Sequence, residues 1–84
     1  MTLGEALPTE TQLSLALIVY SPAHVAGCFG RMVGQFYDRA AFDELARRAA
    51  ALYTHQSARN AARFRERLDR LLLARAEAPI RWGE

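Results

Sequence analysis

Two histidines, one cysteine and eleven arginines are the side chains of this 84-residue sequence with the most chemistry to offer. His24 and Cys28 stand four residues apart, so on a helix they share a face and can grip one zinc ion from the same side. His55 is a conceivable third ligand. No fourth ligand and no carboxylate at matching spacing completes a tetrahedral set. Cys28 is therefore read as a small apolar core residue and His55 as part of a turn, with no metal site assigned. No Ser or Cys stands in a nucleophile elbow, and neither histidine has an evident orienting acid. No glycine pattern follows a strand to cradle a phosphate. The chain is read as non-enzymatic and free of cofactors.

Every basic side chain is an arginine; there is no lysine. A guanidinium is a planar fork suited to carboxylates, phosphates and aromatic faces. The net charge of +2 is too small to imply nucleic-acid binding by itself, so placement matters more than the sum. Arg59, Arg63, Arg67 and Arg70 fall within one sector of a helical wheel, flanking a Phe64/Leu68/Leu71 face. Such a stripe can meet an acidic protein surface or track phosphates. Glu66 and Asp69 interrupt it, and the spacing predicts local pairs with Arg70 and Arg65. The competing reading is a solvated helix face.

A second pattern is made of small residues. Ala23, Gly27, Gly30 and Gly34 recur at intervals of four, three and four, opposite a Val25/Phe29/Met32/Phe36 face. Each mid-helix glycine costs about 1 kcal/mol relative to alanine, so the stripe needs a compensating contact. Either a neighbouring helix of the same chain approaches closely, or the stripe receives a partner or a second copy of the chain, giving a homodimer through the second helix. Trp82, the only tryptophan, lies in the tail beyond Pro79. It either folds back over one end of the domain or, with Ile80, anchors in a partner's pocket, as Trp and Arg are over-represented among binding hot spots.

The elements that position these residues follow from hydrophobic period and capping chemistry. Eighty-four residues make one domain, with residues 1–8 as a lead-in and 79–84 as a tail. Thr9 to Gln12 matches a capping box and opens a helix over 10–20. The alternation of Leu13, Leu15, Leu17 and Val19 also suits a strand, but no second strand-like run exists to pair with it, so the helix is preferred. Ser21-Pro22 starts a second helix over 22–36. Asp38 caps a third, with Tyr37 and Phe42 at staple spacing and Phe42, Leu45, Ala46, Ala49, Leu52 and Tyr53 inside. A turn is placed at Thr54–Ser57, followed by a fourth helix over 58–77; one long helix through both segments is the alternative. The expected fold is all-α, a compact bundle of three or four short helices. Its core holds Phe29, Met32, Phe36, Phe42, Leu45, Phe64, Leu68 and Leu71.

Residues Thr11 to Gly30 carry no Asp, Glu, Lys or Arg, yet the continuous apolar part is only Leu15 to Tyr20. A membrane span needs ~20 predominantly apolar residues, so the run is read as core. The N-terminus lacks a basic region before an apolar run, which argues against a secretory signal. A single cysteine excludes an intramolecular disulfide and suits a reducing cytoplasmic compartment. The expectation for function is a protein-interaction module: an adaptor, an accessory subunit or an inhibitor of a larger machine. Its partner is another protein with an acidic surface or a nucleoprotein complex. Inhibitors carried by mobile elements, the anti-CRISPR class among them, are similarly small and motif-free; the likeness is compositional and no motif carries it. Nucleic-acid binding through the arginine stripe is the second choice.

Overall fold

The computed structural model of the chain describes residues 10–35 and 38–83. Thr9 of the capping box, Phe36 of the expected core and Tyr37 of the staple lie outside the described residues. The described residues form four α-helices: α1 (Glu10–Val19), α2 (Pro22–Met32), α3 (Arg39–Gln56) and α4 (Ala58–Ala74), with a 3₁₀ turn at Val33–Gln35. Among the described residues there is no strand. Helix α4 packs against both α2 and α3, while α1 lies mainly on α3 and touches α2 less. The architecture is the all-α bundle that the periodicity predicts.

Leu13 and Leu17, one turn apart, bury the inner side of α1. Leu15 and Val19 point outward, so the alternation that suits a strand is a helix with apolar residues on both faces. The last carbonyls of a helix lack the i+4 donors of its interior; at the end of α1 the Tyr20 N–H serves that of Ala16 at 2.8 Å, and side chains of α3 serve two more. Tyr53 Oη donates to the Tyr20 carbonyl at 3.3 Å and Gln56 Nε2 to that of Leu17 at 3.3 Å. Burial pushes the Tyr53 hydroxyl up from 10.0 to about 12.

Helix α2 begins as expected, with Ser21 Oγ accepting from the His24 backbone N–H at 3.2 Å and Pro22 at the first position. It does not continue as α-helix to residue 36. It ends at Met32 and tightens into the 3₁₀ turn, a common finish where a poor helix former such as Gly34 follows. Asp38 caps α3 through the Ala40 N–H at 2.9 Å.

The expected turn at Thr54–Ser57 contracts to one residue. Thr54, His55 and Gln56 remain helical, and only Ser57 leaves the helix. Its extended backbone (φ −170°) closes α3 with an N–H to the Tyr53 carbonyl and opens α4 with Oγ accepting from the Arg59 and Asn60 N–H groups. A serine that caps both helices needs no intervening loop, and this excludes one continuous helix.

Helix α4 stops at Ala74 rather than near 77. Ala76 adopts φ 58°, its N–H donates to the Leu73 carbonyl at 3.0 Å, and the Glu77 N–H donates to that of Leu72 at 2.9 Å. These two bonds are the Schellman pattern. They turn the chain back so that Ile80 enters the core. Arg39 fastens the returning tail from the start of α3. Its guanidinium pairs with Asp43 at 2.7 Å and Glu77 at 3.3 Å, donates to the Ala78 carbonyl and lies over the Phe42 ring.

Phe64, with no exposed surface, meets the rings of Phe29 at 5.4 Å, Tyr53 at 5.5 Å and Trp82 at 6.1 Å. Phe29, Phe42, Leu45 and Leu68 are buried as expected. Met32 is half-buried against the core. Leu72 takes the fully buried place expected for Leu71, which is half-buried beside α2. With helices on two sides of it, α4 needs a wider apolar face than a single stripe, and Leu72 lies on the added flank.

Two substitutions test this account. Phe64→Ala should cost ~3–5 kcal/mol in urea unfolding, because its cavity opens between three other rings. Ala76→Gly should stabilise by about 1 kcal/mol, because glycine adopts the left-handed conformation without the Cβ penalty; an unchanged or lower unfolding midpoint contradicts the cap.

Candidate interaction surfaces

Arg59, Arg63, Arg67 and Arg70 are all exposed on α4. Helical rise spaces them over ~16 Å along the axis. Among the described residues, none of the four makes an ion pair or a side-chain hydrogen bond. The pairs expected for Glu66 with Arg70 and Asp69 with Arg65 do not form. Asp69 Oδ1 instead accepts from Trp82 Nε1 at 2.9 Å, a partner that the returning tail supplies and local spacing does not reveal. Leu73, 79% exposed, stands on the edge of the arginine sector. The only aromatic residue of α4, Phe64, is buried, so no ring stands among the arginines.

The small-residue stripe divides. Gly30 is buried, and a methyl group added there would stand 3.1 Å from Cβ and Cδ1 of Leu71. This is the close helix–helix approach within the chain, and it leaves Gly30 out of reach of a partner. Gly27 faces only the end of the Arg31 side chain at 3.8 Å, and Gly34 faces open space. Ala23 is exposed. One glycine of the three is thus used by the fold, and the other two lie on accessible surface.

Trp82 folds back on the domain. It is half-buried, edge-on to Phe64 and tied to Asp69. Ile80 is in the core and unavailable as an anchor for a partner.

His24 is exposed and stacks on Tyr20 with ring centres 4.7 Å apart, while half-buried Cys28 accepts from Arg31 at 3.4 Å. His55 belongs to the last turn of α3, not to a loop. Among the described residues no three His, Cys, Asp or Glu side chains are placed to hold a metal ion.

Sequence reasoning missed the outer side of α1. Leu15, Ile18 and Val19 are 57%, 72% and 71% exposed, and on another side of α1 an apolar groove of about 280 Å³ lies between Ala16 and Tyr20 and, facing them, Cys28 and Met32 of α2. The signal was present, since α1 is apolar around most of its circumference, whereas a surface helix normally shows a single apolar stripe. No helix among the described residues is long and apolar enough to cross a membrane. The chain matches no protein-family model, no curated protein and no solved structure.

The divided stripe makes opposite predictions for neighbouring glycines. Gly27→Ala should raise stability by about 1 kcal/mol through helix propensity alone. Gly30→Leu should lower it by ~1–3 kcal/mol by forcing α2 away from Leu71. Thermal melts of both variants check this, and equal responses would contradict the assignment.

Proposed function

We propose that the chain is a small, non-enzymatic interaction module that binds an acidic protein surface through the arginine face of α4. The observation that carries this reading is the four exposed guanidinium groups on one sector of helix α4, with no carboxylate bound to them among the described residues. An arginine already paired with an acid offers fewer donors to a partner, whereas each of these keeps its whole fork. Helix α4 is held on both sides, so the backbone that carries the array is fixed before binding, while each arginine that docks gives up rotamer freedom.

A protein partner is favoured over a nucleic acid on two grounds. Single-stranded nucleic acids are held by aromatic rings interleaved with cations, and the α4 sector has none. Exposed Leu73 at its edge suits the mixed apolar and polar character of a protein interface. The module would serve as an adaptor, an accessory subunit or an inhibitor of a larger assembly.

The test uses the intact chain as bait in an extract of cells that produce it, with absorbance of the eluate at 260 and 280 nm. An acidic protein should be retained by the native chain and lost, by at least about tenfold, when Arg63 and Arg67 are both changed to Glu. The melting temperature should be nearly unchanged, since both side chains are exposed and unpaired. Retention of nucleic acid in place of protein would transfer the arginine face to the other reading. Binding indifferent to both charge reversal and salt would remove this face altogether.

A further inference from the structure

On the other side of α4, roughly 160° around the helix from Arg63, a cleft of about 460 Å³ opens between α3, α4 and the returning tail. Arg47 and Arg65 line it, together with Thr54, Trp82, Ala50 and Gly83, and among the described residues no carboxylate does. Its size falls within the ~300–1,000 Å³ of small-molecule sites.

The two arginines differ in how far they are engaged. Arg47 donates to Glu44 at 3.2 Å and to the Arg81 carbonyl at 3.5 Å, leaving most of its five N–H donors free. Half-buried Arg65 has no ion pair or side-chain hydrogen bond among the described residues. Its nearest acid in helical register is Asp69, and the Trp82 indole N–H holds that carboxylate. The tail therefore does two things at once: it sets an indole in the wall of the cleft and gives Asp69 a partner other than Arg65.

We propose that this cleft binds a phosphate monoester carried on a planar ring, with Arg47 and Arg65 on the phosphate and Trp82 and Ala50 against the ring. Two guanidinium groups, that of Arg47 shared in part with Glu44, suit the charge of a monoester, about −1.5 to −2 at neutral pH, better than that of a single carboxylate. Their forked donors suit its three equivalent oxygens. The Thr54 hydroxyl donates to the Ala50 carbonyl at 3.0 Å, and its oxygen keeps lone pairs free to accept from a ligand hydroxyl. The site is independent of the outer arginine face, and neither needs the other.

Trp82 is the only tryptophan, so its fluorescence reports on the cleft directly. Phenyl phosphate and adenosine monophosphate should each give a saturable change in emission, with inorganic phosphate and phenol binding at least about tenfold more weakly than phenyl phosphate. Arg65→Gln should weaken phenyl phosphate roughly tenfold, the loss expected for one charge-assisted contact, while Arg63→Gln should leave it unchanged. In the native chain the side-chain Nε–Hε resonances of Arg47 and Arg65 should shift during the same titration, a readout that does not rely on a variant folding. Absence of a saturable change with either ring phosphate would overturn the proposal. So would an unaltered response in Arg65→Gln, arginine resonances that stay in place, or inorganic phosphate binding as tightly as phenyl phosphate.

Discussion

The arrangement of the molecule depends on one buried ring. Phe64 sits midway along α4 and meets an aromatic partner from each of α2, α3 and the C-terminal tail. Edge-on and tilted contacts at these separations add directional preference to the area each ring buries. Phe64 therefore fixes orientation as well as supplying stability. Were the ring at this position smaller, Trp82 would lose its seat and Asp69 its indole partner. The hydrogen bonding of the surface thus follows from packing in the core.

Helix α4 divides its circumference between holding and presenting. Ala61, Phe64, Leu68 and Leu72 face inward, and four arginines face solvent without an ion pair among the described residues. Opposite charges on a surface helix usually pair within a turn. Here α3 conforms, with Glu44 taking both Arg47 and Arg48 and Asp43 taking Arg39, whereas α4 does not. The same chain shows both behaviours on adjacent helices, and that contrast is what supports the proposal that α4 carries the binding face.

What was legible in the sequence was whatever depends on near neighbours in the chain. Ser21, Asp38 and Ser57 cap helices as their types and positions require, and the 3.6-residue period puts Phe29, Phe42, Phe64 and Leu68 in one core. What could not be read depends on residues distant in sequence. Nothing local says that Asp69 answers to Trp82 rather than Arg65, that Arg39 reaches 38 residues along the chain to Glu77, or that Gly30 alone of three similar glycines meets a leucine. Helix ends showed the same limit: α4 closes at a non-glycine residue with positive φ, where the usual signal would have been a glycine. The surfaces were half legible. The arginine sector follows from the wheel, but the ring-lined cleft exists only once the tail has returned.

The first helix is fastened differently from the rest. Two leucines bury its inner side, and the carbonyls at its end are held by the Tyr53 hydroxyl and the Gln56 amide. Regions with few buried contacts open locally at less than the cost of global unfolding, so amide exchange in α1 should outrun that in α4. Opening also frees the Tyr53 hydroxyl to meet water. In the closed form that hydroxyl holds its proton to about pH 12, and in an exposed form only to its ordinary value of 10.0. Its contribution to closure is complete below the lower value and disappears as pH rises through the upper one. Alkali therefore acts on one of the fastenings of the first helix, the Tyr53 hydroxyl that donates to the Tyr20 carbonyl.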